Sequence, residues 1–328
     1  MNVVLVAPTD YGISKHLVDA LESKGLSVIF VREHFATWSG LLNRVLLRLP
    51  PVAFGRINLH WIRWKLKDHL HLCKIDVLIV VRARYLTRSV LQQLIADCQP
   101  TKCVMYQWDY LENLPLFPEQ VDLFDQVFSF DRNDADQFNV IHKPLFYNKF
   151  HREYAGENAV NLYQVSFIGT LHSDRYNVVE SIRASNPELF AQSFISFYMS
   201  RFTYFVKKLL RSPVVEMTKP SDISFTMVGE LVSIQCLASS DFILDISQEK
   251  QTGLTIRTFE ALGLKKRLLT TNADVVNYDF FNPNNIFIFD RAHPHISEDF
   301  LSGKYEEIPN QIYEKYYVEN WVDELIAL

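Results

Sequence analysis

The chain has 328 residues, of which 48% are hydrophobic and 22% are charged, and its formal net charge at pH 7 is −5. This length favours two domains of roughly 150 residues each, and the ordinary composition excludes a collagen-like or disordered chain. The slightly negative net charge argues against a general nucleic-acid-binding protein.

Cysteine usage and the first residues indicate the compartment. The four cysteines form no CxxC pair, so neither a disulfide framework nor a zinc cluster is predicted. The apolar run after Asn2 has no basic region before it and is far too short to span a bilayer, so we predict a strand and not a targeting segment. Both features favour a cytoplasmic protein.

The first half of the chain alternates β-branched runs with helical patterns and begins with a βαβ unit. Near-continuous apolar strands of this kind are typical of a parallel sheet that is buried on both faces. We therefore predict a Rossmann-like, doubly wound domain over residues 1–150, with a binding crevice at the carboxyl ends of its strands. The predicted strands are residues 3–7, 27–31, 77–81, 102–107 and 126–130.

A basic, aromatic-rich segment lies between Arg44 and Lys74, where Asp68 is the one acidic residue. Such a segment can lie on an anionic membrane surface. Alternatively, its helices pack on their own protein and expose a solvated basic face. Residues 196–213, SFYMSRFTYFVKKLLRSP, are a second candidate for the same membrane contact.

The alternation breaks near residues 143–163 and then restarts, which predicts a second Rossmann-like domain over residues 151–310. Residues 311–328 are predicted to be helical and to pack back on the body of the protein. No glycine-rich phosphate loop and no metal-ligating histidine spacing is present, so no metal is predicted. The predicted strands of the second half are residues 163–169, 222–225, 241–246, 267–271 and 285–290, and the predicted packing residues of the last segment are Ile312, Tyr316, Trp321, Leu325 and Ile326.

The stretch QEKQTGLTIRTFEALG, residues 248–263, carries the clearest binding signal. A strand ends at Ile246 and a helix is predicted to begin around Gly253, so that the amides of its first turn favour a phosphate-bearing ligand. Arg257 lies where the helix dipole disfavours a cation unless an anion is bound. Glu260, at i+3 on the same side, can accept hydrogen bonds from both hydroxyls of a ribose. The pattern fits a nucleotide diphosphate, although a surface ion pair of a few tenths of a kcal/mol is the alternative.

Several longer stretches resemble bacterial GT-B glycosyltransferases of capsule and lipopolysaccharide biosynthesis. The resemblance spans nearly the whole chain and implies a GT-B fold of two facing Rossmann-like domains. It also implies a nucleotide-sugar donor without a further cofactor, and a saccharide or lipid-linked acceptor at the inner face of the cytoplasmic membrane. The stretches are YQWD (106–109), FDQVFSFDRNDA (124–135), HKPLFY (142–147), VSFIGTLHSDRY (165–176), LDISQEKQTGLTIRTFEALG (244–263), KKRLLTTN (265–272) and VENWVDEL (318–325).

The resemblance implies that Glu260 binds the donor ribose and that Arg175 steadies the pyrophosphate as it departs. Many retaining members have a second Glu where this chain has Thr252, so inverting and retaining reactions both stay open. The other residues predicted to bind the donor are Gly169, Thr170, Gln251, Thr252, Gly253, Leu254, Thr255 and Arg257.

An inverting transfer needs a base from the first domain, and Asp109 and Asp10 are the candidates because each follows a predicted strand. Each can instead cap a neighbouring turn or helix. We place Arg82 and Arg84 on the acceptor side, where they either hold an anionic acceptor or are solvated cations of a loop. Tyr11 and Gly12, in another loop, are also predicted to line the acceptor side.

Two other functions fit the same sequence. One is a nucleotide-sugar epimerase or hydrolase built on the same scaffold, and the other is a non-catalytic sugar-binding subunit that keeps the fold.

Overall fold

The computed structural model describes residues 1–9, 12–34, 51–70, 73–111, 114–156 and 161–327. The chain divides into two units, one formed by Met1–Leu145 with Val318–Leu328 and the other by Phe146–Tyr317. The predicted C-terminal segment 311–328 is therefore shared between the two units.

In the described part of the first unit, six strands form one parallel sheet in the order β2-β1-β3-β4-β5-β6. Every residue of β3 and β4 is buried, which explains why these two strands appear in the sequence as near-continuous apolar runs. The strands are β1 (Asn2–Ala7), β2 (Ser27–Arg32), β3 (Val77–Val81), β4 (Lys102–Gln107), β5 (Gln126–Ser129) and β6 (Ile141–His142).

The helices of the first unit include most of the basic segment between Arg44 and Lys74. The apolar residues Leu59, Ile62 and Leu66 are buried in the core of the unit, so this helix packs on its own protein along one face. Residues 44–50 and 71–72 of the segment lie outside the described residues. The helices are α1 (Ile13–Ser23), α2 (Pro51–Leu70), α3 (Arg88–Cys98) and α4 (Arg132–Phe138).

The described residues of the second unit also form a six-stranded parallel sheet, in the order β12-β11-β10-β7-β8-β9. The two sheets confirm the prediction of two doubly wound α/β sheets. Strand β8 was not predicted, and it includes the first residues of the segment 196–213. The strands are β7 (Tyr163–Thr170), β8 (Ser193–Tyr198), β9 (Ile223–Ser224), β10 (Ser240–Asp245), β11 (Arg267–Thr270) and β12 (Ile286–Ile288).

Helices connect the strands of the second sheet, as a parallel sheet requires. Two of them matter below: α7 continues the segment 196–213, and α10 follows β10. The helices are α5 (Lys149–Glu153), α6 (Arg175–Ser185), α7 (Arg201–Leu209), α8 (Pro213–Glu216), α9 (Glu230–Ala238), α10 (Ile256–Leu264), α11 (Glu298–Ser302) and α12 (Asn310–Lys315). Across the described residues of both units, no helix combines the length and the apolar character that crossing a bilayer requires.

The end of the chain returns to the first unit as two short helices, α13 (Val318–Trp321) and α14 (Asp323–Ile326). Within that unit Trp321 is buried, and its indole Nε1 donates to the carbonyl oxygen of Pro144 at 2.7 Å. The helical prediction for this segment is confirmed in three short pieces. Of the predicted packing residues, Tyr316, Trp321 and Leu325 are buried, whereas Ile312 and Ile326 are half-buried.

The end of α10 is held by a close contact between Gly263 and the ring of Tyr147. A Cβ atom on Gly263 would lie 2.6 Å from Cγ of this ring, which is closer than any real Cβ contact. The ring cannot easily move, because the Tyr147 hydroxyl donates to the Tyr313 carbonyl at 3.1 Å. The Tyr313 hydroxyl in turn donates to the carbonyl of Gly263 at 2.7 Å. Only glycine fits at position 263.

We expect Gly263→Ala to lower the free energy of unfolding by about 1–3 kcal/mol, because it overpacks the Tyr147 contact. In an unobstructed helix the same substitution would raise stability by up to about 1 kcal/mol. Denaturant unfolding measures the difference. Gly229→Ser is the control, because an added Cβ atom meets nothing within 4 Å there. Unchanged or higher stability of Gly263→Ala would contradict the packing described above.

Candidate functional site

The strand order of the second sheet reverses between β7 and β10, which are neighbours in the sheet although β8 and β9 lie between them in the chain. Ligands of open α/β sheets bind beyond the carboxyl ends of the strands at such a point. Arg175, the first residue of α6, joins these two strand ends. Its Nε donates to the Ile246 carbonyl at 2.8 Å, and its Nη1 donates to the Thr170 carbonyl at 3.4 Å.

Asp245, the last residue of β10, is the buried anchor of this region. Its carboxylate accepts hydrogen bonds from the hydroxyls of Thr255 at 2.8 Å, Thr258 at 3.2 Å and Thr270 at 3.3 Å. Burial raises the pKa of Asp245, although the hydroxyls of Thr255 and Thr258 and the nearby arginines oppose the rise. The three bonds tie the end of β10 to β11 and to the start of α10.

Helix α10 begins at Ile256, not around Gly253 as predicted. The cause is Thr255, whose hydroxyl caps the helix by accepting from the Arg257 amide at 3.2 Å. The preceding residues are held in a loop by Asn272, whose Nδ2 donates to the carbonyls of Thr252 at 3.2 Å and Gly253 at 3.3 Å. Gly253 therefore belongs to a clamped loop and not to the first turn of the helix.

Arg257 and Glu260 form an ion pair on α10, with Arg257 Nη1 against Glu260 Oε2. The other arm of Arg257, Nη2, donates to the carbonyl of Ile168 in β7 at 2.9 Å. The side chains of Arg257 and Glu260 are only 13% and 16% exposed. The solvated surface ion pair, which was the alternative interpretation of the sequence, is therefore excluded. The pair lies beside β7, and the Glu260 side chain stays partly exposed.

His151 of α5 approaches the same carboxylate, with 3.6 Å between its Nε2 and Glu260 Oε1. Its ring is fixed in a capping box, where the backbone amide of Asn148 donates to Nδ1 at 3.3 Å. Burial raises the pKa of Glu260, but the Arg257 guanidinium and His151 outweigh burial and hold the pKa below its usual range. Glu260 is thus an ionised acceptor at neutral pH.

Arg291, which follows β12, closes another edge of the site. Its Nη1 donates to both carboxylate oxygens of Asp174, at 2.6 and 2.7 Å, and its Nη2 donates to the Ser247 carbonyl at 2.5 Å. These bonds connect the residue before α6 to the loop that follows β10.

The remaining residues predicted to bind the donor lie around this loop. Gly169 and Thr170 end β7 and are half-buried, and a Cβ on Gly169 would lie 2.9 Å from the Phe167 ring. Gln251 donates from Nε2 to the Gly253 carbonyl at 2.6 Å. Leu254 is 1% exposed, so it is a core residue.

The candidate residues of the first unit have local partners. Arg82 is buried, and its Nε donates to Glu33 Oε1 at 3.0 Å, whereas Arg84 is exposed. Asp109 is half-buried, and its Oδ1 accepts from the Tyr110 amide at 2.9 Å. Gly12 caps α1 with φ 74°, a left-handed conformation that glycine adopts readily. Asp10 and Tyr11 lie outside the described residues, and the roles of all these residues stay predictions.

The sequence did not point to Asp245, Asn272, His151 or Arg291. Asp245 and Asn272 stand at strand ends inside stretches that carry the family resemblance, so the position after a buried strand was an available signal. His151 and Arg291 act through partners far along the chain, and no local pattern marks them. Among the described residues, no group of three or more His, Cys, Asp or Glu side chains is arranged to hold a metal ion.

Comparison of this fold with solved structures finds HepE from Anabaena. The structure of HepE in complex with UDP and glucose is 12% identical and covers 100% of this chain and 95% of that chain, with a TM-score of 0.51. The structure of HepE in complex with UDP-glucose is also 12% identical and covers 99% of this chain and 98% of that chain, with a TM-score of 0.55. No family model and no curated protein matches the sequence. The likeness over the whole chain confirms the predicted GT-B fold class.

We expect Asp245→Ala to lower the free energy of unfolding by about 3 kcal/mol, because three threonine hydroxyls lose their buried acceptor. Asp245→Asn should lower the free energy of unfolding by less, because the amide keeps one acceptor oxygen and the substitution removes a buried charge. Denaturant unfolding of both variants distinguishes them. If Asp245→Ala lowered the free energy of unfolding no more than Asp245→Asn does, the anchoring role of Asp245 would be contradicted.

Glu260 should also make stability depend on pH. Because its pKa is lowered in the folded protein, its contribution is present above the unfolded pKa of about 4.3 and is lost as pH falls through the folded value. The difference in unfolding free energy between the wild type and Glu260→Gln should therefore shrink towards acidic pH. Chemical denaturation between neutral and acidic pH measures this difference, and a constant or growing difference would contradict the buried pairing.

Proposed function

We propose that this protein is a glycosyltransferase that moves a sugar from a nucleotide-sugar donor to a saccharide or lipid-linked acceptor. The observation that carries the proposal is the convergence of Arg175 with the Arg257 and Glu260 pair at the strand ends of β7 and β10. This is where an open parallel sheet offers its binding crevice. The GT-B fold and its likeness to HepE support the same conclusion.

Glu260 is suited to bind the ribose of the donor. An ionised carboxylate accepts about four hydrogen bonds, so Glu260 can keep Arg257 and still accept from two neighbouring hydroxyls. Its lowered pKa keeps it an acceptor at neutral pH. The pair with Arg257 and the nearby His151 fix the carboxylate before any ligand arrives, which reduces the entropy lost on binding.

Arg175 is suited to stabilise the departing diphosphate. Glycosyl transfer builds negative charge on the leaving group, and a positioned cation stabilises that charge most strongly when it needs no rearrangement. The guanidinium of Arg175 is held by two carbonyls at the crevice, and the capped start of α10 adds the positive end of a helix dipole. We propose that these groups act without a metal ion or other cofactor.

We propose a uridine diphosphate sugar as the donor, because the structures of HepE hold UDP with glucose and UDP-glucose. By the resemblance in sequence, the acceptor is a growing surface polysaccharide of the capsule or lipopolysaccharide type. This places the reaction in the cytoplasm, at the inner face of the cytoplasmic membrane. Asp109 and Asp10 remain the proposed bases of an inverting reaction, with Tyr11, Gly12, Arg82 and Arg84 on the acceptor side.

Calorimetric titration with UDP tests the donor site. We expect Glu260→Gln to weaken UDP binding roughly 10- to 100-fold, because a hydrogen bond to a charged group contributes about 1.5–3 kcal/mol. Glu188→Gln is the matched control, since Glu188 is exposed and precedes β8 at the opposite end of the strands. Equal affinity of Glu260→Gln and the wild type would contradict the ribose assignment.

The reaction type is tested by incubating the wild type with UDP-glucose, with and without candidate acceptors. A transferase releases one UDP for each acceptor molecule that it glycosylates. A changed sugar still attached to UDP would indicate an epimerase, and the absence of turnover with every acceptor despite UDP binding would indicate a sugar-binding subunit.

A further inference from the structure

The outward face of α7 is apolar, which is the reverse of an ordinary surface helix. Such a helix normally turns its apolar stripe towards the core and its polar side towards water. On α7 and at its end, however, Phe205 is 66% exposed, Leu209 is 74% exposed and Leu210 is 73% exposed. We call these three residues the α7 patch. Phe202 and Val206, which are half-buried, continue the stripe at helical spacing.

The attachment of α7 to the second unit explains this orientation. Tyr204 packs against the core of the unit and meets the Phe225 ring edge-on, with 5.2 Å between the ring centroids. Phe205 and Leu209 follow Tyr204 at spacings that turn them away from it. None of the residues of α7 is fully buried. Tyr204 thus attaches the helix to the core of the second unit, while Phe205, Leu209 and Leu210 stay largely exposed.

Along the chain, the charged residues that flank the patch all have one sign. From Leu189 to Val215 the sequence contains no Asp or Glu, and its charged side chains are Arg201, Lys207, Lys208 and Arg211. Helix α7 thus combines large apolar side chains with cations in its last turn and just beyond it. This pairing complements the surface of an anionic bilayer, where acyl chains lie beneath negatively charged headgroups. Long Lys and Arg side chains reach the headgroups while the apolar residues insert.

The other basic segment of the chain differs in this respect. On α2 the apolar residues Leu59, Ile62 and Leu66 are buried in the core of the first unit, whereas Trp64 is 51% exposed. Both segments were candidates for membrane contact from their sequence, but the burial of their apolar side chains differs. The apolar residues of α2 are used for folding, whereas the α7 patch is exposed and available to a partner.

We propose that the α7 patch docks the protein on an anionic phospholipid bilayer, with Phe205, Leu209 and Leu210 inserted and Lys207, Lys208 and Arg211 at the headgroups. This inference rests on the membrane contact of the proposed function and names the surface that makes it. Vesicle binding without donor or acceptor tests it separately from the transfer reaction.

The experiment is flotation of the full chain with vesicles that contain phosphatidylglycerol, and with vesicles of phosphatidylcholine alone. We expect the wild type to bind the anionic vesicles and to leave them at high salt. The triple variant Phe205→Ser, Leu209→Ser, Leu210→Ser should bind at least about tenfold more weakly. The variant Lys207→Gln, Lys208→Gln should bind the anionic vesicles roughly tenfold more weakly as well.

The control variant is Leu162→Ser with Val276→Ser, two apolar residues of the second unit that are 58% and 50% exposed outside α7. It should bind as the wild type does, and thermal melting verifies that each variant is folded. Wild-type binding that the triple variant retains would overturn the proposal, as would the absence of binding to anionic vesicles. A concentration-dependent dimer that the triple variant loses, without vesicle binding, would overturn it in favour of a second copy of the chain.

Discussion

The buried carboxylate of Asp245 is the interaction on which the candidate site depends. It accepts hydrogen bonds from the hydroxyls of Thr255, Thr258 and Thr270, and so it joins a strand end, a helix start and the neighbouring strand. Thr255 is also the residue that caps α10. Because Asp245 fixes where the cap lies, it fixes where the first turn of α10 begins, and with it the positions of the two charged side chains that follow.

The charged groups of the site are positioned by backbone carbonyls at the strand ends. Arg175 binds the carbonyls of Ile246 and Thr170, and Arg257 binds that of Ile168. The far end of α10 is held as firmly, since Gly263 lies against Tyr147. Rigid support at both ends of the helix is what a site needs if its cations are to act without rearrangement. The structure thus connects the packing of the sheet directly to the electrostatics of the crevice.

Sequence patterns were most informative where burial is complete. Strands β3 and β4 are buried at every residue, and their predicted bounds agree with the structure. Strand β8 was missed because Phe197 is its one fully buried residue, and its aromatic residues resemble the amphipathic helix that follows. The start of α10 was predicted too early because Asn272 holds the preceding loop. That residue lies beyond the helix in the chain, where no local rule reaches it.

Glu260 and Arg257 were identified because their spacing on one helix is local, whereas the approach of His151 depends on a contact between distant parts of the chain. We propose that Glu260 binds the donor ribose. A crystal structure of the protein with UDP-glucose tests it most directly. It should show the ribose hydroxyls within about 3 Å of the Glu260 carboxylate. A nucleotide bound elsewhere, with Glu260 contacting only Arg257 and His151, would contradict it.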